Sequence, residues 1–341
     1  MSIIMGRLVL STIMFTVILF FISITSRALR KDSTWMLPAW EIKQWQESYS
    51  SSAVLYEKLA LAERLWKQTI ENRKQMLDES GSGRTFPDGY IYPYNVWDFA
   101  RPSFFCPHDM ERVGTLGDGG KVVCGMSRYE KTSPGPSSEQ NIAPPLIVYS
   151  FGVNDDSSFE ARLLERTNAE IWGYDYSVDA WAKDIRRSQL SRAHFKKAGL
   201  GKKTDEKSNP PFYTVQDLMH ANGHNYVDIV KMDIEGFEFD VLSSLTAFLR
   251  STTGDNDNTT STIPFGQLLV EIHLFPGATN FHVPKDIHEW IQWWTELEEL
   301  GLRPVNNEDN WIGDVGQGKP WFMEYTLINA VDTQRNKLLW A

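Results

Sequence analysis

Four polar residues in the second half of the chain could move a proton or hold a substrate hydroxyl. Asp233 and Glu235 end one apolar run, and Glu271 and His273 lie two residues apart in another, so they share a face if that run is a strand. Because the unperturbed pKa of histidine is near neutral, His273 is the first candidate for a general base. The alternatives are a structural histidine, with Asp233 or Glu235 acting as base or hydroxyl anchor.

The same four side chains also have the atom types that bind metal ions, namely carboxylate oxygens and an imidazole nitrogen. Their spacing along the chain, however, matches no diagnostic arrangement of metal ligands. The sequence therefore predicts no metal site.

The stretch 228–249 indicates how Asp233 and Glu235 are positioned. Residues 228–233 have the branched apolar content of a strand buried on both faces, and Gly236 ends the run. Beyond it, apolar residues recur at helical spacing and acids crowd the first turn, where the helix dipole favours negative charge. Ligands of parallel sheets bind beyond the carboxyl ends of strands, so both acids would face a cofactor or substrate.

Further strand and helix patterns surround this unit. Strands are predicted at 146–151, 171–175 and 268–274, with a weaker one near 193–200. Helices are predicted from a capping box at Ser157–Glu160, after the second strand through Trp181, and from 287 to Gly301. The runs 302–306 and 321–330 resemble an antiparallel pair at a sheet edge. We therefore expect a doubly wound α/β sheet with an antiparallel edge strand.

The amino-terminal region predicts a membrane anchor and a stem. Residues 8–24 carry no charge, and at about 1.5 Å per residue they suit the thinner bilayers of the early secretory pathway. No convincing cleavage site follows, which disfavours a signal peptide. Residues 1–7 would be a tail and 25–85 a helical stem and linker. The stem has apolar residues at helical spacing and is a possible coiled-coil homodimer.

The sequence gives conflicting signals about the orientation of the anchor in the membrane. A basic cluster at 27–31 favours a cytosolic body by the positive-inside rule. Cys106 and Cys124 enclose a loop that a disulfide could close, although two free cysteines would look the same, and Asn258 begins a glycosylation sequon. We expect a single-pass protein of the endoplasmic reticulum or Golgi with a lumenal catalytic body.

Composition limits the partners and the size of that body. The 341 residues are 42% hydrophobic, enough to bury one large domain, which we place at 86–341, with an extension at 86–145 and the sheet core at 146–341. The formal net charge is −10. Because nucleic-acid surfaces need clustered Lys and Arg, no nucleic-acid partner is expected.

The turn after the first strand indicates a positively charged cofactor. Gly152 does not begin a G-x-G-x-x-G turn, and Asp155 and Asp156 would repel a phosphate. S-Adenosylmethionine, which carries an ammonium and a sulfonium, fits better. Asp175 ends the second strand, where an acid accepts hydrogen bonds from ribose hydroxyls in nucleotide-binding folds.

Several segments together resemble the FkbM-related group of S-adenosylmethionine-dependent methyltransferases. They are VYSFGVNDDSSFE, GYDYS, DIVKMDIEGFEFDVL, QLLVEIHLF and EYTLINA. The run Lys231–Gly236 is similar to the K-x-D-x-E-G signature of that group, and the resemblance covers about residues 86–341. It implies a Rossmann-like methyltransferase fold with Gly152 under the methionine part of the cofactor and Asp175 on its ribose. Asn154 stands where the broader superfamily has a second glycine.

The resemblance implies a cofactor site at the ends of the first, second and fourth strands. Its residues would be Ser150, Phe151, Gly152, Asn154, Asp175, Tyr176 and Asp233. We expect O-methylation of an acceptor that no motif identifies, with a glycan or small molecule favoured. The alternatives are a type II lumenal glycosyltransferase using Asp255-Asn256-Asp257, and a catalytically silent module that keeps the methyltransferase fold.

Overall fold

The computed structural model describes residues 39–80, 94–135, 143–252, 262–311, 313–314, 319 and 321–340. The predicted anchor at 8–24, the sequon at Asn258 and the Asp-x-Asp at 255–257 lie outside these ranges. No helix within them has both the length and the apolar character needed to cross a bilayer. The chain divides into two compact units, Met1–Ala53 and Val54–Ala341. In the first unit, the described residues form the beginning of one helix.

The described residues form six α-helices and eleven strands. The helices are α1 (Ala39–Ser80), α2 (Met126–Thr132), α3 (Ser158–Arg166), α4 (Val215–Ala221), α5 (Glu238–Thr252) and α6 (Ile287–Glu299). The strands are β1 (Met110–Val113), β2 (Lys121–Cys124), β3 (Ile147–Phe151), β4 (Glu170–Asp175), β5 (Ala193–Lys197), β6 (Gly199–Leu200), β7 (Phe212–Tyr213), β8 (Val227–Met232), β9 (Phe265–His273), β10 (Leu302–Asp309) and β11 (Phe322–Asn329).

Seven strands form the central sheet in the order β10-β11-β9-β8-β3-β4-β5. From β9 to β5 all neighbours are parallel, and β11 is antiparallel to both β9 and β10. The predicted α/β class with a mostly parallel sheet is therefore confirmed. The antiparallel strand, however, is not the edge strand, because β11 is inserted between β9 and β10.

Two hydrophobic clusters cover the sheet. One contains Tyr149 and residues of α4, α5 and α6, and the other contains Val148 and residues of α2 and α3. Because adjacent strand residues point to opposite faces, the two clusters lie on opposite sides of the sheet. The carboxyl ends of β3, β4, β8 and β9 are thereby held at one edge between two packed layers, which is the geometry of a doubly wound fold.

Two local predictions were wrong. The stretch from Tyr176 through Trp181 is not helical but bent. The indole of Trp181 packs against Gly173, where an added Cβ would lie 2.2 Å from the indole ring, and the indole N–H donates a hydrogen bond to the Ala193 carbonyl. The capping box is also absent, since the Ser157 side chain makes no cap hydrogen bond. Its partner Glu160 is instead fully buried.

The part of α1 within the second unit packs closely on that unit. The Arg73 guanidinium is 4% exposed and donates to both carboxylate oxygens of Glu298 on α6, at 2.7 and 3.0 Å. The indoles of Trp66 and Trp294 donate to the same carboxylate, at 3.0 and 3.1 Å. The compact unit therefore begins at Val54, well before the boundary predicted at residue 86. Dimerisation through this helix stays a prediction.

We predict that Arg73→Met lowers the free energy of unfolding by about 3–5 kcal/mol, because it leaves the Glu298 carboxylate buried without its cation. Lys74→Met is the matched control, since Lys74 pairs with Glu71 on the exposed side of the same helix and its loss should cost about 0.5 kcal/mol or less. Chemical denaturation of the full-length variants gives both values. Equal, small losses would show that the buried pair does not hold α1 to the second unit.

Candidate active site

A cavity of about 630 Å³ opens at the carboxyl ends of the parallel strands. It has two parts, which we name by their linings. The turn half is lined by 151–156, 175–177 and 198–200 together with Phe212, and the acidic half by Asp233, Glu235, Glu271 and His273. The β1–β2 connection contributes Thr115 and residues 117–119 to the wall. The cavity thus lies where the sheet topology predicts a ligand site.

The turn half depends on the backbone of Gly152, which has a φ of +76°. A Cβ there would lie 1.7 Å from the carbonyl oxygen of Asp233, so only glycine allows the turn to approach the end of β8 so closely. Asn154 has a φ of +49°, a left-handed conformation that asparagine tolerates better than most residues. The asparagine therefore keeps the backbone shape that the missing second glycine would allow.

Asp175 holds this turn in place through both carboxylate oxygens. Oδ2 accepts hydrogen bonds from the backbone amides of Val153 and Asn154, at 2.8 and 2.9 Å, and Oδ1 accepts from the amide and hydroxyl of Ser177, both at 2.6 Å. Burial alone would raise the pKa of Asp175, but these hydrogen bonds outweigh it and the pKa is lowered. Asp175 is therefore an anion that shapes the turn as well as lining the cavity.

The buried ammonium group of Lys231 stabilises the turn. Lys231 donates to the Gly152 carbonyl at 2.9 Å and lies 3.3 Å from a carboxylate oxygen of Glu160. The hydroxyl of Ser150 donates to that same oxygen. Ser150 therefore points away from the cavity and is not among its lining residues, contrary to the predicted cofactor contact. The sequence contained no signal for Glu160 other than its apparent role in a capping box.

The far end of the turn half is more apolar. Tyr176 and Phe212 lie with their ring centroids 6.3 Å apart and their planes 28° apart, and Ala198 and Leu200 line the wall beside them. Such a surface suits a flat, weakly polar ring such as a nucleobase. Of the predicted cofactor residues, Phe151, Gly152, Asn154, Asp175, Tyr176 and Asp233 all line the cavity.

The acidic half brings together the four residues predicted to carry the chemistry. Nε2 of His273 lies 3.9 Å from an oxygen of Asp233, 3.8 Å from one of Glu235 and 3.9 Å from one of Glu271. His273 and Glu271 are buried at the end of β9, whereas the Glu235 side chain is 67% exposed. The predicted proximity of β9 to the turn after β8 is therefore observed.

Glu238, which the sequence placed only at a helix start, orients His273. Its Oε1 lies 3.0 Å from Nδ1 of His273 and also accepts from the amides of Ile234 and Gly236. Burial lowers the pKa of His273, but attraction to Glu238 and the other carboxylates outweighs this and raises the pKa to about 10. Without a bound cation, this arrangement of carboxylates therefore favours the protonated imidazole. The role of His273 as general base stays a prediction.

Lys121 on β2 is a site residue that the sequence did not reveal. Its buried ammonium lies 3.1 Å from Oδ2 of Asp233 and also pairs with Glu324 on β11. Burial raises the pKa of Asp233, but Lys121 outweighs it, so the pKa is lowered. Burial raises the pKa of Glu271 to about 9, and repulsion from Asp233 acts in the same direction. The two carboxyls thus differ in protonation at neutral pH in this arrangement.

Two overlapping sets of side chains have their potential ligand atoms close enough to hold a metal ion. The first is Asp233, Glu235 and His273, and the second is Asp118, Asp233, Glu271 and Glu324. Within each set the ligand atoms lie within 4.8 Å of one another. The geometry therefore allows a metal ion in the acidic half, which the residue spacing alone did not indicate.

Comparison with protein-family models relates the chain to one known family. A family model described as "Methyltransferase domain" matches residues 62–312. A search of curated proteins found no match. Among solved structures, the fibrillarin pre-rRNA processing protein of Methanococcus jannaschii is similar at 13% identity, over 65% of this chain and 99% of that chain, with a TM-score of 0.31. The narrower likeness to the FkbM-related group stays a prediction. Because the family match spans more than half of the sequence, the chain belongs to this methyltransferase-domain family.

Proposed function

We propose that the protein is an S-adenosylmethionine-dependent methyltransferase whose cofactor binds in the turn half. The observation that carries the proposal is the Gly152 turn at the carboxyl end of β3, which the Asp175 anion fixes. Asp155 and Asp156 line the same wall, so the turn attracts cations and disfavours the phosphates of a dinucleotide.

The residues of the turn half fit such a cofactor. A volume of about 630 Å³ lies within the range of roughly 300–1,000 Å³ that small-molecule sites occupy. The backbone at 152–154 would hold the methionine part, and Asp175 the ribose hydroxyls. Tyr176 and Phe212 offer ring surfaces to the adenine. When bound, the cofactor supplies an electrophilic methyl group.

The acceptor would bind in the acidic half, which meets the turn half at Asp233. Methyl transfer is an in-line displacement in which the protein mainly positions two reactants. Carboxylate oxygens accept hydrogen bonds from hydroxyl groups, and the Asn310 amide donates to Glu271 at 2.6 Å beside them. This lining supports O-methylation of a hydroxyl on a glycan or small molecule.

The rival functions have less support. A glycosyltransferase would rely on the Asp-x-Asp at 255–257, and the family match favours methyl transfer instead. A silent module would be favoured if the cofactor failed to bind, which the first experiment below measures.

We also propose that residues 8–24 anchor the protein in the membrane of the endoplasmic reticulum or Golgi with the second unit in the lumen. Cys106 and Cys124 are paired with each other, and their Cα atoms lie 5.7 Å apart. A disulfide persists in oxidising compartments and is rare in the cytosol, so this pairing supports a lumenal body.

The cofactor proposal predicts that the full-length protein binds S-adenosylmethionine and that Asp175→Ala weakens the affinity by about 1–3 kcal/mol, because the turn loses its acceptor and the ribose its partner. Asp179→Ala is the matched control, since Asp179 is an exposed acid on the same loop that pairs with Lys197 outside the cavity. Calorimetry measures both affinities. Binding by neither the wild type nor the control would favour the silent module, and an unchanged affinity in folded Asp175→Ala would remove Asp175 from the site.

The lumenal proposal predicts that denatured, unreduced protein resists thiol alkylation and that an endoglycosidase increases its mobility. Asn258→Gln should abolish the mobility change, whereas Asn256→Gln, two residues away and outside the sequon, should not. In the chain-entropy picture, closing the loop between Cys106 and Cys124 contributes about 3 kcal/mol, so reduction should lower the thermal midpoint. Two reactive thiols without a glycan would instead indicate a cytosolic body.

A further inference from the structure

We propose that the acidic half is a binding site for one divalent transition-metal ion, held by Asp233, Glu235 and His273. The inference extends the proposed function, because the ion would lie where the acceptor is expected and would bind an acceptor oxygen. It replaces the sequence prediction that the protein has no metal site.

The distances between the three ligand groups suit a shared ion. Two atoms that each lie about 2.1 Å from one metal are at most about 4.2 Å apart. Nε2 of His273 lies 3.9 Å from Oδ1 of Asp233 and 3.8 Å from Oε2 of Glu235, and all three groups fall within 4.8 Å of one another. These separations are too long for direct hydrogen bonds but are within the limit that a shared ion sets.

His273 is built as a ligand rather than as a solvated side chain. It is 4% exposed, and among the described residues its hydrogen bond is made by Nδ1, to Glu238. Nε2 is thus left without a hydrogen bond and aimed at the two carboxylates. A histidine that ligates a metal typically gives its other nitrogen to a carboxylate, which fixes the direction of the ring. Glu238 has this relation to His273 and is itself fixed by the amides of Ile234 and Gly236.

The carboxylate ligands are held by regular elements and a constrained turn. Asp233 directly follows β8, and its other oxygen, Oδ2, pairs with Lys121 at 3.1 Å, which leaves Oδ1 directed at His273. Glu235 has a φ of +56°, an uncommon conformation for a residue with a side chain. The turn between β8 and α5 thereby presents its carboxylate to the same point as Oδ1.

The carboxyl groups around this point would attract a further cation. Five carboxyl groups face the cluster, on Asp233, Glu235, Glu238, Glu271 and Glu324. Lys121 is the buried lysine that pairs with two of them. A divalent ion at this point would be attracted to these carboxyl groups and would bind the oxygens that face the cluster.

The ligand types limit which ion fits. Two carboxylates and one imidazole combine a hard oxygen set with a borderline nitrogen, a mixture suited to Mn²⁺ and neighbouring transition metals more than to Ca²⁺. Three protein ligands leave positions for water or an acceptor oxygen. Binding to the ion would lower the pKa of such an oxygen, and the proton of a hydroxyl acceptor would pass to water or to a carboxylate of the acidic half that does not bind the ion.

The test titrates Mn²⁺ into chelator-treated full-length protein and follows free Mn²⁺ by electron paramagnetic resonance. We expect one tightly bound ion per chain, with the affinity lowered at least tenfold in His273→Ala and in Glu235→Gln. Glu235→Gln changes an exposed side chain and keeps the fold testable if His273→Ala is unstable. Asp155→Asn is the matched control, because Asp155 lines the same cavity outside the ligand set and its loss should leave the affinity unchanged.

Two results would overturn the metal site: no stoichiometric Mn²⁺ binding by the wild type, or equal losses in Asp155→Asn and Glu235→Gln, which would indicate general attraction by an acidic cavity. Calorimetry with S-adenosylmethionine in the presence of chelator separates this inference from the proposed function. Cofactor binding without any Mn²⁺ binding would remove the metal and retain the methyltransferase proposal. Absence of cofactor binding with stoichiometric Mn²⁺ binding would do the reverse.

Discussion

The close approach of Gly152 to the carbonyl of Asp233 is the contact on which the rest of the site depends. With no side chain at Gly152, the turn after β3 lies directly against the end of β8, and Lys231 from β8 reaches back to the Gly152 carbonyl. The two strand ends therefore act as one structural unit. This contact determines that the turn half and the acidic half share a wall at Asp233, so that two ligands bound in the two halves would meet there.

Asp175 differs from Glu235 and Glu271 in how many hydrogen-bond donors the protein supplies to its carboxylate. Asp175 accepts four hydrogen bonds from neighbouring backbone and side-chain groups, and these lower its pKa. Glu271 and Glu235 have few protein donors, and burial raises the pKa of both. A carboxylate whose acceptor capacity is filled by the protein shapes the site, whereas one left short of donors is available to a ligand. Asp175 belongs to the turn half, whereas Glu235 and Glu271 belong to the acidic half.

Local sequence patterns predicted where the strands end. Because parallel strands bring their carboxyl ends to one edge of the sheet, these patterns also predicted that Asp233, Glu235, Glu271 and His273 lie close together. They could not predict partners that come from distant segments. Lys121 meets Asp233 across 112 residues of chain, and no local signal distinguishes it from a surface lysine.

The same limitation applies to Glu160, Glu238 and α1. Glu160 and Glu238 each looked like an acid favoured by a helix start, yet one supports Lys231 and the other orients His273. The heptad-like pattern of α1 correctly indicated an amphipathic helix, but a helix that packs on its own domain has the same pattern as a free stem. The buried contacts of Arg73 and Trp66 with Glu298 distinguish those possibilities.

The charge of the acidic half also bears on the class of acceptor. A protonated amine would be attracted to these carboxylates, but the same attraction would raise its pKa and keep it in the ammonium form, which has no lone pair to attack a methyl group. A hydroxyl group becomes more reactive in the same surroundings, since it donates a hydrogen bond to a carboxylate and becomes a stronger nucleophile as its proton moves away. The proposed metal ion at Asp233, Glu235 and His273 would strengthen this difference, because it would repel an ammonium and stabilise an alkoxide. In the proposed reaction, the electrostatics of the cavity would therefore favour oxygen over nitrogen as the atom that is methylated.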